Sequence, residues 1–190
     1  MNSDRELIKK IRFAAQKQAT KALRGKSPTY SRHWIRPPFA LEEADFLLAC
    51  SRCNACVEAC AFKVIFCLPR NVGVLAELTP AMDLLNRGCH LCVDWPCVTA
   101  CHDGALYNPF PVRGPGDLPR LARVGIDESL CITYLGQECA ICGMICPVPG
   151  AQTWDLGKPV INQEICVGCG LCREVCQGDP KAIHIRFLAA

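Results

Sequence analysis

Cysteine is the residue type on which the chemistry of this chain depends, because 17 of its 190 residues are cysteines. Sixteen of them fall into four consecutive groups of four, and only Cys67 lies outside the groups. Thiolates bind iron and zinc and also form disulfides, so three kinds of site compete to explain them. The spacing of the cysteines decides among the three.

That spacing favours cubane iron–sulfur clusters. Groups one and four read C-x2-C-x2-C-x3-C, group two reads C-x2-C-x4-C-x3-C, and group three reads C-x7-C-x2-C-x3-C. In a two-cluster ferredoxin, three closely spaced cysteines wrap one cluster and the fourth binds the other cluster. The sequence therefore predicts four [4Fe–4S] clusters. The predicted ligands are Cys50, Cys53, Cys56, Cys60, Cys89, Cys92, Cys97, Cys101, Cys131, Cys139, Cys142, Cys146, Cys166, Cys169, Cys172 and Cys176.

Two other functions remain as alternatives. A structural zinc-binding interaction module also uses C-x2-C pairs, although zinc does not need the x3-C that ends every group. An enzyme with its own cluster chemistry needs an open iron site or a phosphate-binding loop. No Gly-rich phosphate loop is present, and every group has its fourth cysteine. We therefore predict an electron-transfer subunit of an oxidoreductase complex, without a catalytic residue of its own.

Short helices and strands must position these groups. A helix is predicted over residues 40–49, where it delivers the first cysteine. A second helix is predicted over 80–87, because Thr79-Pro80 resembles an N-cap followed by proline and Gly88 suits a helix end. Strands are predicted at 124–127 and 160–162, before groups three and four, and at 182–185 after group four.

The charges are unevenly distributed along the chain. Residues 1–36 hold ten Lys or Arg and two acids, whereas the rest holds eleven Lys or Arg and sixteen acids. Apolar residues near positions 7–23 follow one face of a predicted basic helix. This arm is interpreted as a solvated tail, a docking segment for an acidic partner, or a segment lying on an anionic membrane. Nothing else supports nucleic-acid binding, and no apolar run is long enough for a transmembrane helix.

Several motifs resemble one family of proteins. CVGCGLCREVC at 166–176 is similar to half of a bacterial ferredoxin. CHLCVDWPCVTAC at 89–101, CITYLGQECAICGMIC at 131–146, and IRPPFA at 35–40 before CSRCNACVEAC resemble the NapG/MauM-type ferredoxins. The resemblance covers roughly residues 34–186. It implies a polyferredoxin subunit with four [4Fe–4S] clusters that passes electrons between a membrane quinol dehydrogenase and a redox enzyme such as periplasmic nitrate reductase.

The resemblance also implies a fold and a pairing of the groups. The expected class is α+β, with two nested bacterial-ferredoxin-like 2[4Fe–4S] modules, long loops and an N-terminal helical extension. Nesting pairs group one with group four, and group two with group three. The expected divisions are a basic extension at 1–49 and a four-cluster domain at 50–190. Its outer module joins 50–88 to 157–190, and its inner module is 89–156. From the residues alone, pairing between neighbouring groups stays open.

Candidate partners follow from the same reading. They are a redox enzyme subunit such as a molybdenum or tungsten enzyme or a hydrogenase, together with a membrane quinol dehydrogenase or a ferredoxin. Self-association of copies stays open. Members of the family begin with a twin-arginine export signal, but here Lys9-Lys10 precedes Ile11 and no apolar stretch follows. We therefore expect a cytoplasmic location, with membrane association through a partner as the alternative.

Overall fold

The computed structural model describes residues 34–108, 112 and 114–188. The basic helix predicted near positions 7–23 lies outside the described residues. We call residues 34–108 the first half, and residues 112 and 114–188 the second half. Within the described residues, no helix combines the length and the apolar character needed to cross a membrane.

Each half contains short helices and strands. The elements of the first half are α1 (Glu43–Ala49), α2 (Ala55–Ala59), β1 (Ile65–Cys67), a 3-10 turn (Arg70–Val72), β2 (Pro80–Met82) and α3 (Pro96–Thr99). Those of the second half are a 3-10 turn (Pro115–Asp117), β3 (Ala122–Ile126), α4 (Ile141–Met144), β4 (Gln152–Asp155), β5 (Lys158–Ile161), α5 (Leu171–Val175) and β6 (Ile183–Phe187). The mixed helix and strand content agrees with the predicted α+β class.

Both halves are built on the same plan. An antiparallel hairpin lies between the two cysteine groups of each half, β1 with β2 in the first and β4 with β5 in the second. An outer antiparallel pairing encloses both groups, through the Ala40–Leu106 bridge in the first half and through β3 with β6 in the second. Helices α2 and α3 pack together, as do α4 and α5.

This repeated plan corrects the expectation of nesting. The structure joins group one to group two and group three to group four, whereas the nested arrangement joined group one to group four. The reason lies in strand pairing, because each outer pairing connects the chain before one group to the chain just after the next group. The outer module of 50–88 with 157–190 and the inner module of 89–156 are therefore replaced by two consecutive halves.

The predicted helix at 80–87 is also corrected. Residues Pro80–Met82 form strand β2, in which Pro80 lies opposite Cys67 and Met82 lies opposite Ile65. Met82 exchanges backbone hydrogen bonds with Ile35 on its other side, at 2.9 and 2.8 Å. Proline tolerates an extended backbone but cannot donate a ladder hydrogen bond, which suits the start of a strand. Tertiary pairing thus prevails over the local helix-start signal.

The remaining predicted elements are found close to where they were expected. Helix α1 (Glu43–Ala49) falls within the predicted 40–49 and ends directly before Cys50. The three predicted strands correspond to β3, β5 and β6. The side chain of Phe46 on α1 is fully buried with Met82 and Leu84 in a core that also includes Ala122 and Ile185 of the second half. Residues 34–49, which the sequence assigned to the extension, are therefore part of the folded first half.

Arg36 connects α1 to the strands of the first half. Its guanidinium makes a bidentate ion pair with the Glu43 carboxylate, with N–O distances of 2.8 and 2.6 Å. It also donates to the Thr79 hydroxyl at 2.8 Å and to the Pro80 carbonyl at 2.9 Å. The same group lies over the Phe46 ring, 4.5 Å from its centroid. This network fixes the helix that precedes the first cysteine.

Candidate metal centres

Four cavities, two in each half, are each lined by four cysteines, and their empty volumes range from about 330 to 370 Å³. Site I is lined by Cys50, Cys53, Cys56 and Cys101. Site II is lined by Cys60, Cys89, Cys92 and Cys97. Site III is lined by Cys131, Cys139, Cys142 and Cys176. Site IV is lined by Cys146, Cys166, Cys169 and Cys172.

The same exchange of ligands produces all four sites. Each site takes the first three cysteines of one group and the fourth cysteine of the neighbouring group in the same half. The third cysteine of each group lies in the first turns of a short helix, and the fourth follows the end of that helix. Because α2 packs on α3 and α4 on α5, each fourth cysteine reaches the partner site. All sixteen predicted cysteines thus line a cavity.

Cys67 is the one cysteine that lines none of these four cavities. It is half-buried, and its Sγ donates to the Asn54 Oδ1 atom at 2.9 Å. Cys60 lines site II, so Cys67 does not take its place there. Cys67 thus lies outside the four cysteine quartets in the structure as it does in the sequence.

Left-handed backbone turns shape three of the four cysteine loops. The residue just before the second cysteine has φ of 63°, 49° and 74° at Arg52, Leu91 and Gly168 respectively. The helix that carries the third cysteine starts from a second left-handed residue, with φ of 65°, 43° and 84° at Asn54, Trp95 and Gly170. Successive turns of this kind direct backbone N–H groups into a concave, anion-binding surface. Group three departs from the pattern, since Ala140 has φ of −132°.

Glycine is required at one of these turns for a second reason. A Cβ atom added at Gly168 would overlap the Ala122 backbone, with the Ala122 carbonyl oxygen as its nearest neighbour. Gly168 thus allows the loop of group four to lie directly against β3. The Leu121 amide also donates to the Val167 carbonyl at 2.8 Å. The cysteine loop of site IV is therefore held on the edge of β3.

Backbone amides also contact the fourth cysteines in the first half. The Val64 amide donates to the Cys60 Sγ atom at 3.4 Å, and the Leu106 amide donates to the Cys101 Sγ atom at 3.3 Å. An N–H directed at a sulfur stabilises its thiolate form. In an iron–sulfur site, such hydrogen bonds also help to set the reduction potential.

Burial raises the pKa of several of the cysteine thiols. Desolvation is the largest cause, and it raises the pKa of Cys56 and of Cys89 to about 12 and that of Cys97 and of Cys169 to about 11. Neighbouring cysteine charges raise these values further. Thiols that are so hard to ionise alone become ligands when a cation replaces their protons. The sites are therefore suited to a positively charged metal core.

Aromatic side chains cover site II. Trp95 is buried, lines the cavity and packs edge-on against Phe39 with ring centroids 4.9 Å apart. His90 stacks on Phe62 with centroids 3.5 Å apart, and both residues line the same cavity. These rings restrict the access of water to the cavity of site II. A dry shell influences the potential of a metal site.

The arrangement suits a polynuclear group better than a single ion. A structural zinc ion holds four sulfurs about 2.3 Å from one centre. Among the described residues, no group of three or more His, Cys, Asp or Glu side chains is placed to hold a single metal ion. All 17 cysteines are nevertheless free thiols, and sixteen of them are grouped by fours around cavities of similar size. The donor set therefore fits [4Fe–4S] cores.

The sequence interpretation missed two features of these sites. One is the left-handed conformation of Arg52, Asn54, Leu91 and Trp95, which no glycine marks. Their position relative to the cysteines was the available signal, because Gly168 and Gly170 occupy the equivalent places in group four. The other is the Arg36 network. The motif IRPPFA was recognised only through its family resemblance.

Comparisons with known proteins find iron–sulfur relatives of this chain. The family model of the 4Fe-4S binding domain matches residues 159–180, which contain all four cysteines of group four. The chain is 35% identical over 161 residues to the methylamine utilization ferredoxin-type protein MauM of Paracoccus denitrificans, covering 80% of this chain and 70% of the relative. It is 31% identical over 163 residues to the ferredoxin-type protein NapG of Escherichia coli, covering 80% of this chain and 69% of the relative.

A third relative is covered over most of its length. The ferredoxin-type protein NapF of Escherichia coli is 31% identical over 161 residues, which make up 82% of this chain and 87% of that protein. The matches therefore extend well beyond the 22 residues of the family model.

Proposed function

The chain belongs to the family of ferredoxin-type iron–sulfur proteins that includes MauM and NapG, and from this premise we propose that it is an electron-transfer subunit that carries four [4Fe–4S] clusters. Sites I to IV each hold one cluster through four cysteine thiolates. The chain itself does not make or break covalent bonds, and it transfers electrons between two redox partners.

The observation that carries this proposal is the grouping of sixteen cysteines into four cavities of equal ligand number. Cysteine quartets are the usual ligand set of [4Fe–4S] clusters. Each fourth cysteine comes from the neighbouring group, as in two-cluster ferredoxins, and both halves repeat this exchange. A structural zinc module has no use for such an exchange, because zinc pairs two C-x2-C units at one ion.

The residues around each site have distinct roles in this function. When bound, a cluster accepts and releases one electron at a time. The thiolates hold it in place, and the amides of Val64 and Leu106 stabilise the negative charge on Cys60 and Cys101. Trp95 and its apolar neighbours keep water from site II. Small differences among the residues around each site set its reduction potential.

We extend the proposal to the partner class. Several relatives carry names that refer to methylamine utilization, which makes a redox enzyme the expected partner of this chain. The other partner is a membrane quinol dehydrogenase or a ferredoxin. A tagged copy purified without oxygen should retain a redox enzyme subunit. The cytoplasmic location and the role of the basic arm stay predictions.

Metal and sulfide analysis tests the cluster proposal. Anaerobically purified protein should be brown and contain about sixteen irons and sixteen inorganic sulfides per chain. Dithionite should bleach its visible absorption, and the reduced protein should show the EPR signals of [4Fe–4S] clusters. Folded, colourless protein that contains zinc without sulfide would overturn the proposal and favour the structural zinc module.

A further inference from the structure

The two halves meet at the backbones of two cysteine loops. The Cys89 amide donates a hydrogen bond to the Cys169 carbonyl across a distance of 2.7 Å. Cys89 is a lining residue of site II in the first half, and Cys169 is a lining residue of site IV in the second half. One hydrogen bond therefore joins ligand residues of the two halves directly.

Contacts next to this hydrogen bond hold the loops together. The Gly88 amide donates to the Glu174 carboxylate at 2.7 Å, and the Arg173 guanidinium donates to the Leu85 carbonyl at 3.0 Å. Gly88 is buried, and a Cβ atom added there would lie 2.5 Å from the Leu171 amide nitrogen. Only a residue without a side chain allows this close an approach.

Sites II and IV thus contain the ligand residues that touch across the two halves. Site I contains Cys53, the only exposed residue among the 17 cysteines.

We propose that the Cys89–Cys169 hydrogen bond is the electron bridge between the two halves, and that Gly88 is the positioning residue that keeps this bridge short. The proposal rests on the four-cluster function proposed above. It orders the sites as I, II, IV and III, so that order in space differs from order in sequence. One electron crosses the bridge at a time, oxidising the site that it leaves and reducing the site that it enters, and no bond breaks.

Exchanging Gly88 for alanine tests the bridge. The added Cβ should force the Gly88 and Leu171 backbones apart and lengthen the hydrogen bond. Gly114→Ala is the matched control, because a Cβ atom there meets no other atom within 4 Å and Gly114 has no left-handed φ. Both variants are compared with the wild type as cluster-loaded, full-length protein.

Three measurements separate the outcomes. Iron content should stay at the wild-type level in both variants. Hydrogen exchange of the Cys89 amide, measured by mass spectrometry, should become faster only in Gly88→Ala. The EPR spectrum of the fully reduced protein should lose the spin coupling between the halves only in that variant, while the coupling within each half remains. Faster exchange with unchanged coupling would overturn the bridge, and unchanged exchange would overturn the positioning role of Gly88.

A second variant covers the case in which Gly88→Ala loses iron. Glu174→Gln keeps the size of the side chain but removes the charge that accepts from the Gly88 amide. We expect faster Cys89 exchange and a smaller loss of coupling between the halves, with full iron content. Wild-type coupling despite faster exchange in this variant would contradict the bridge. A wild-type protein without iron would instead refute the proposed function itself.

Discussion

Individual glycine residues and cysteine thiols determine which metal groups the four cysteine cavities can hold. Gly168 shows this for site IV, because it combines a φ of 74° with direct contact between its Cα region and the Ala122 backbone. A side chain at this position meets both a conformational penalty and an overlap. The two effects can be separated with another left-handed glycine that lies in open space.

Exchanging Gly168 for alanine should remove the cluster of site IV. The new methyl group cannot fit against β3, so the loop between Cys166 and Cys169 must move. Iron analysis should show a loss of about four irons, the content of one cluster. Gly157→Ala is the control, since Gly157 has a φ of 78° and no neighbour within 4 Å of an added Cβ. A loss of iron in the control equal to that in Gly168→Ala would contradict the role of the close contact.

Cluster assembly on the cluster-free protein should release protons. The thiols of Cys56 and Cys89, with pKa values raised to about 12, are protonated near neutral pH but bind iron as thiolates. A raised pKa also means that the cluster-free fold loses stability as the pH rises from the ordinary thiol value toward the raised one. Because cluster binding displaces thiol protons, a higher pH should favour loading of the clusters.

Titration at constant pH during anaerobic reconstitution measures this release. The apparent affinity should rise with pH. At a pH of about 10, above the ordinary thiol value, the buried thiols still carry protons, so base must be added beyond the proton that each hydrosulfide ion releases. Release of the hydrosulfide protons alone at that pH would show that the thiols are already ionised, and it would contradict the effect assigned to burial.

At the scale of elements, α1 depends on a buried charge network rather than on its own length. The helix has seven residues, too few for independent stability. The Arg36 side chain is 9% exposed and pairs with a Glu43 side chain that is 29% exposed. Loss of one partner from a mostly buried pair leaves the other without compensation for its lost hydration.

Exchanging Arg36 for alanine should lower the free energy of unfolding by about 3 kcal/mol. The variant loses the ion pair, the hydrogen bond to Thr79 and the packing on Phe46. Anaerobic thermal denaturation, followed by the visible cluster absorption, provides the measurement. Exchange of the exposed Arg70 for alanine serves as the control. Equal midpoints for the two variants would show that the network does not stabilise the first half.

Elements were predictable from sequence where local signals and tertiary contacts agree. Helix α1 and strands β3, β5 and β6 have apolar patterns that their positions in the fold also require. The segment after Thr79 shows the opposite case. Its cap signal favours a helix, but pairing of Pro80 with Cys67 and of Met82 with Ile35 requires extended backbone. Long-range partners of this kind are not visible in a local window.

At the scale of the whole molecule, spacing predicted the four groups but not their partners. The fourth cysteine of every group follows the third after three residues. This spacing is the same whichever neighbouring group shares the fourth cysteine, so it does not reveal the pairing. Pairing is decided by contacts distant in sequence, such as the Ala40–Leu106 bridge and the packing of α2 on α3. The family resemblance suggested nesting, whereas the structure contains two consecutive halves.

The pairing of the cysteine groups has a consequence for electron transfer through the whole molecule. In the proposed order of sites, the Cys89–Cys169 contact is the electron bridge between the two halves. Sites I and III are then the two ends at which electrons would enter and leave. A nested arrangement would instead place groups one and four in the same module. The identity of the cysteines around a single site therefore tests the whole account.

Iron analysis of a quadruple variant is that test. With Cys50, Cys53, Cys56 and Cys101 all exchanged for serine, we expect the loss of site I alone, about four of sixteen irons. In the matched variant, Cys50, Cys53, Cys56 and Cys176 are exchanged for serine and Cys101 is kept. This variant should damage sites I and III and lose about eight irons. The reverse result, with the larger loss in the first variant, would contradict the account.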